Sequence, residues 1–346
     1  MRPRTTGFDE EKFFMSTDNS AKRATSRRGF LKTGGGVAAA VVGGAALPLV
    51  QASPAGAAVP DSPRFRLDGA GGNPIWKKSL HANWVMQSFG YDSVHQHVYF
   101  LQTKTDSTNG DLWVTKTDTA GNQLGSMALH GFGHGVSIAV EPYGGQVYLW
   151  TEWKTSASGF GTRIGRFPFV NGAVLEQDDP SVQDRTPSIG DTMINPQPVI
   201  DPSTDRLLVR YGDGTSQRRI VAFALSDARA GRLTSGYRLV ERALPDRKDW
   251  GVANPFQGFT AYGRYAYLLE GPRGNPSYLT TVDLNDVGNS TVVDRFATTA
   301  GQSLPGREPE GMAIWQSPSG PRLAFGLYSN TSGTRQASVF YKSEFV

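Results

Sequence analysis

The chain contains no cysteine. That absence excludes disulfides, thiolate metal sites, iron–sulfur clusters and cysteine nucleophiles. Histidine is scarce, at 5 in 346 residues, and His81, His95 and His97 show no metal-ligand spacing. There is no phosphate-binding glycine loop and no nucleophile-elbow motif. Helical periodicity is almost missing too. One short candidate spans 225–230, with Ser226 or Asp227 as its cap and Gly231 as its stop. An excess of either charge disappears once the first 58 residues are set aside. Those residues hold 8 Lys/Arg and 4 Asp/Glu, and taking them from the totals of 35 and 31 leaves 27 basic and 27 acidic residues. The remainder lacks the basic field that nucleic acid or an anionic lipid surface attracts.

The first 58 residues read as a cleavable export signal. Ser26-Arg27-Arg28-Gly29-Phe30-Leu31-Lys32 is a twin-arginine sequence, a Gly/Ala-rich apolar run follows, and Ala55-Gly56-Ala57 offers a small-residue cleavage site. Cleavage is expected after Ala57 or Ala58, and Met15 is an alternative start. The uncharged run over 33–60 is long enough to span a membrane. Its Gly/Ala content and the lack of a basic stop-transfer flank favour processing over anchoring. The expected product is residues 59–346, exported by the twin-arginine pathway and extracellular or wall-associated. With about 288 residues, it can build a sufficient core without disulfides.

That region is rich in Gly, Asn, Asp and Pro turns between short alternating strands. Five segments share one pattern: a polar residue, usually a small residue or Pro, an apolar strand, a turn, and a second apolar strand. They begin at Gln87-Ser88-Phe89, His134-Gly135-Val136, Gln197-Pro198-Val199, Gln257-Gly258-Phe259 and Glu310-Gly311-Met312. The leading residues are 47, 63, 60 and 53 positions apart. That is the length of a four-stranded blade with its loops, so the expected fold is all-β, a five-bladed β-propeller preceded by the export signal. Leu112-Trp113-Val114-Thr115, Arg163-Ile164-Gly165-Arg166-Phe167 and Ile220-Val221-Ala222-Phe223 supply outer strands. The stretch around Arg64-Phe65-Arg66-Leu67 is expected to pair with the last strand, at 337–342, and close the ring.

In such a ring the five leading residues converge on the axis. Gln87, His134, Gln197, Gln257 and Glu310 form the expected ligand-binding set, with Arg307, Glu308 and Arg163 as further candidates. Axial amides also serve simply to hold water and join blades. His134 lies between glycines in Gly131-Phe132-Gly133-His134-Gly135, and Glu310 is the one carboxylate of the ring. The two could act as a general acid/base pair, or as a hydrogen-bonded pair that fixes the His tautomer. Trp84, Trp150, Trp153 and Trp250 could stack on sugars, although core packing is the plainer reading. For Arg163, Arg210 and Arg307 a phosphate- or carboxylate-binding fork stands beside ordinary salt bridging. Glu176, Asp178, Asp179 and Asp184 read as a solvated acidic loop without a calcium-loop spacing. No cofactor is expected. Metal dependence stays open, an axial divalent cation such as calcium being compatible with the ring.

The segments Val85-Met86-Gln87-Ser88-Phe89, Gly131-Phe132-Gly133-His134-Gly135-Val136-Ser137, Gln257-Gly258-Phe259-Thr260 and Arg307-Glu308-Pro309-Glu310-Gly311-Met312 resemble proteins labelled teichoic acid biosynthesis protein C in actinomycetes. Those are similar in turn to the propeller of staphylococcal phage receptor-binding proteins and to helveticin-type bacteriocins. The resemblance implies a five-bladed propeller and a wall teichoic acid or related glycopolymer as ligand. It carries no assignment of catalytic residues. Three functions follow as expectations. The first is a secreted, monomeric propeller that binds a polysaccharide or teichoic acid-like polymer. The second is an enzyme on the same polymer: a lyase with His134 as base, or a glycoside hydrolase pairing Glu310 with Glu308. The third is an antibacterial protein of the helveticin kind.

Overall fold

A computed structural model describes residues 59–104, 109–215, 217–245, 254–286 and 292–346. The export signal, its alternative start, its cleavage site and Trp250 lie outside the described residues.

Strands fall into five antiparallel sheets taken in chain order. Blade 1 is built from β2 (Met86–Asp92), β3 (His97–Thr103), β4 (Leu112–Asp118) and β5 (Gln123–His130). Blade 2 has β6 (Ile138–Tyr143), β7 (Gln146–Thr155), β8 (Gly161–Pro168) and β10 (Gln183–Asp184). Blade 3 has β11 (Ile194–Asp201), β12 (Arg206–Gly212), β13 (Arg218–Ala224) and β14 (Arg238–Ala243). Blade 4 has β15 (Phe256–Tyr262), β16 (Tyr265–Glu270), β17 (Ser277–Asp283) and β18 (Val292–Thr298). Blade 5 has β19 (Glu308–Ser317), β20 (Gly320–Ser329), β21 (Gln336–Lys342) and, from the other end of the chain, β1 (Gly71–Lys78). A short β9 (Val174–Glu176) adds a parallel fifth strand to blade 1. Among the described residues the α-helix lies where expected, at Leu225–Arg229, but its N-cap is Ala224, without a side-chain capping bond, and not Ser226 or Asp227.

Innermost strands β2, β6, β11, β15 and β19 each pack on the next, and β19 returns to β2, so the five sheets close a ring. The fold is a five-bladed β-propeller. Its burial follows from that arrangement. Every residue of β2 is buried, because blades flank it on both faces. The edge strand β1 mostly alternates between exposed and half-buried residues, with Ile75 buried. The core is divided among the blade interfaces. Tyr99 and Leu129 of blade 1 join Ile138 and Phe167 of blade 2. Trp150 of blade 2 joins Val209 and Phe223 of blade 3. Leu208 joins Phe259 and Leu268 between blades 3 and 4. Leu279 joins Phe325 between blades 4 and 5. Phe89 and Phe100 join Ala324 and Val339 where blade 5 meets blade 1.

Two sequence expectations are corrected. The strand that closes the ring is β1, not the stretch around Arg64-Phe65-Arg66-Leu67. β1 pairs with β21 through Gly72↔Tyr341 and Ile75↔Val339. The earlier stretch pairs with the chain beyond β21, by a Phe65↔Phe345 bridge and a bond from Arg66 N–H to the Glu344 carbonyl. β1 opens Gly71-Gly72-Asn73-Pro74 and carries two register irregularities, so its sequence resembles a turn. The second correction concerns His134. It stands four residues before β6, in an extended connector over 132–137, not inside the inner strand.

Candidate functional site

The inner strands run in the same direction along the axis, so their first residues share one mouth. An axial cavity is lined by all five, with Gly90, Ile138, Val199, Thr260 and Ala313 among its walls. These walls lie two to four residues further along than Gln87, His134, Gln197, Gln257 and Glu310. The cavity is lined mostly by apolar residues, and the five leading residues, the expected ring, precede its walls in sequence.

Backbone irregularity places that ring. Between β2 and β3 the register slips between Met86 and Ser88, leaving Gln87 in a bulge. The same slip leaves Gln257 between Phe256 and Gly258, and Glu310 between Pro309 and Met312. In blade 3 it falls just before Gln197. A bulge re-aims its side chain away from the regular alternation, and here it falls at the leading residue of three blades, whereas Gln197 pairs in register with Arg210. The following residues make close packing possible. A side chain on Gly258 would begin 2.8 Å from the Gly311 Cα, and one on Gly311 would begin 2.7 Å from the Ser88 Cα. Both glycines also have positive φ, 153° and 79°. Ser88 Oγ continues the chain of contacts by donating to the Gly135 carbonyl at 2.6 Å. Blades 4, 5, 1 and 2 are thus tied in order at the residue after each leading position.

The side chains of the ring are held differently. Gln87 is 6% exposed and makes no side-chain hydrogen bond to a described residue. Gln197 accepts from Arg210 Nη1 at 2.8 Å, and the Arg210 guanidinium lies 3.5 Å from the Phe256 ring centre. Gln257 donates to the Gly271 carbonyl at 3.0 Å and to Glu308 Oε1 at 3.4 Å. Glu310 is buried, and its charge together with that of Glu308 opposes ionisation of the nearby Tyr328 phenol. Tyr328 donates its own hydrogen bond to Glu308 Oε2. His134 and Glu310 belong to blades separated by blade 1, so Gln87 stands between them in the ring.

His134 owes its place to a residue the sequence did not suggest. The buried Glu152 carboxylate, at the mouth end of β7, accepts backbone N–H bonds from Gly135, from Val136 at 3.2 Å and from Gly161 at 2.6 Å. The His134 N–H also stabilises its charge. Burial outweighs these donors and raises the Glu152 pKa to about 7. The His134 ring packs against Phe160 at 4.9 Å and makes no side-chain hydrogen bond to a described residue. Desolvation lowers its pKa to about 4, so the imidazole is neutral at neutral pH. Tyr328 and Glu152 both come from second strands, in apolar runs that read as core. A charged residue inside Leu149-Trp150-Thr151-Glu152-Trp153 was the available signal.

The other candidates lie apart from the ring or are already engaged. Arg163 is half-exposed on β8 and pairs with Asp184 at 2.7 Å. Arg307 is buried and donates to the carbonyls of Ala300 and Asn275, which fastens the loop before blade 5. Trp150 and Trp153 are buried. The acidic run is dispersed: Glu176 ends β9 and bonds His130, Asp179 binds the Ser181 N–H and hydroxyl, and Asp184 lies in β10. Among the described residues no group of three or more His, Asp or Glu is arranged to hold a metal ion. None of the described helices is long and apolar enough to cross a membrane.

Comparison with known proteins agrees with this fold. Teichoic acid biosynthesis protein C of Bacillus subtilis (strain 168) is 26% identical over 271 residues, covering 74% of this chain and 59% of that protein. The tail fiber of Staphylococcus aureus phage P68 superposes with a TM-score of 0.66 at 19% identity, over 80% of this chain and 54% of the fiber. The chain therefore spans a little over half the length of each. At that identity the fiber speaks for the fold alone. Residues 85–340 match the phage five-bladed β-propeller receptor-binding platform domain, and the chain belongs to that family.

Proposed function

We propose that this chain is an exported propeller that recognises a cell-envelope glycopolymer, teichoic acid or a similar polymer, at the polar mouth of its axis. The observation that carries the reading is the recurrence of a bulge at the leading polar residue. The register slips at Gln87, Gln257 and Glu310 in three blades, and in blade 3 just before Gln197, which pairs with Arg210. Gln87 and His134 hold no hydrogen bond from a described residue, and nearly buried polar groups of that kind find their partner in ligand or water. Family membership and the name of the Bacillus subtilis relative point to the same class of ligand. Export rests on the twin-arginine sequence at 26–32.

Binding is favoured over turnover by the same geometry. An imidazole with a pKa of about 4 is a weak proton acceptor at neutral pH. Glu308 is committed to Gln257 and Tyr328 rather than held ready for a water. The test incubates the chain with purified wall teichoic acid and, separately, an acidic polysaccharide. Retention of intact polymer is the expected result. Released fragments or unsaturated ends, abolished by His134→Ala or Glu310→Gln, would replace the binding reading with an enzymatic one.

A further inference from the structure

The mouth-side edge of blade 5 carries a row of polar side chains that the ring does not include. Glu308 pairs in register with Tyr328, and Tyr328 with Ala337. Directly opposed residues share a sheet face, and so do residues two apart on one strand. Arg335 lies just before β21, two residues from Ala337. Its guanidinium carbon lies 4.6 Å from the Tyr328 ring centre. The turn before it is fixed. Asn330 N–H donates to the Pro305 carbonyl, and Asn330 Nδ2 donates to the Thr334 carbonyl and to Gln336 Oε1.

Arg335 itself has no hydrogen-bond partner among the described residues, and its Nε and Nη1 are buried. Both Glu308 oxygens are already occupied, one by Gln257 and one by Tyr328. A buried N–H left unmade costs roughly 1–3 kcal/mol, and here two share one charged group. Water would satisfy a donor, whereas an oxyanion also forms a charge-assisted bond with the guanidinium.

From these contacts we infer that Arg335 is an oxyanion-reading residue at the rim of the mouth, and that it takes a phosphodiester or carboxylate carried by the polymer. The guanidinium lies against the Tyr328 ring, and Nη2, the nitrogen that is not buried, is the donor that meets the anion. This inference deepens the proposed function and rests on it: the ring reads hydroxyls, and Arg335 selects charged over neutral polymers.

The experiment follows the arginine Nε–H resonances of the full chain by NMR while inorganic phosphate or acetate is added. The resonance that Arg335→Lys removes should shift on addition of one of the anions, and which anion does so distinguishes phosphate from carboxylate as the source. Poly(glycerol phosphate) or polyuronate binding should weaken about tenfold in Arg335→Gln at an unchanged melting temperature. Arg335→Lys, which keeps the charge but loses the fork, should recover only part of that. If neither anion moves the resonance and both variants bind charged polymer like the parent, the inference is overturned. Polymer binding that is lost in Gln87→Ala but intact in Arg335→Gln would leave the proposed function standing and remove this inference. An anion-dependent shift without polymer binding would do the reverse.

Discussion

Ser88 and Gly135, 47 residues apart, are joined by a 2.6 Å hydrogen bond from the serine hydroxyl to the glycine carbonyl. The bond sets the edge of blade 1 against the connector that carries His134, and so fixes the spacing between Gln87 and His134 at the mouth. Ser88→Ala removes the donor and leaves a buried carbonyl without its partner. Urea denaturation should show a loss of about 1–2 kcal/mol. A change within experimental error would mean that the connector is held without this bond.

Glu152 and His134 give stability two opposed pH dependences. The folded pKa of Glu152, about 7, lies above its ordinary 4.5. The folded state holds that proton more tightly, so the contribution is complete below pH 4.5 and lost as pH rises through 7. For His134 the folded value, about 4, lies below the ordinary 6.5. Its contribution is complete above pH 6.5 and lost as pH falls through 4. Each is worth on the order of 3 kcal/mol at most, and His134 less, since its ring keeps some solvent contact. The two nearly cancel in the parent chain. Glu152→Gln should unmask a stability that climbs from about pH 4 to 6.5, and His134→Asn one that declines from about pH 4.5 to 7. Denaturation of the three proteins across that range reads the difference, and three parallel curves would contradict it.

Ring closure depends on one face of β1. Ile75 is fully buried where blade 5 meets blade 1, whereas its neighbour Trp76 is 41% exposed. Ile75→Ala should cost about 2–5 kcal/mol. Trp76→Ala should stay within about 1 kcal/mol, despite removing the larger side chain. Equal losses in the two variants would show that the strand is not seated by its buried face.

The propeller was legible because its inner hairpins are apolar on both faces and recur with a leading polar residue. Such runs survive whatever the loops do, and the period then counts the blades. Closure was misplaced because Gly71-Gly72-Asn73-Pro74 carries turn chemistry yet pairs as a strand once β21 offers its edge. His134 was placed inside a strand because Val136 and Ile138 continue the apolar pattern. The connector stays extended there because its N–H groups turn to Glu152 instead of a neighbouring strand. Tyr328, Arg335 and Glu152 escaped notice for a common reason. Tyr328 and Glu152 lie on second strands and Arg335 in the turn before β21, where only register and packing reveal which side chains meet.

The most direct test of the account is the affinity of the chain for purified wall teichoic acid, compared between the parent and Gln87→Ala. The variant loses the packing of a side chain only 6% exposed, so about 1–2 kcal/mol of stability should go while the fold is kept. If the mouth is the binding site, removing this amide should weaken binding about tenfold. A variant that keeps its fold and binds as tightly as the parent would place the ligand elsewhere and contradict the central claim.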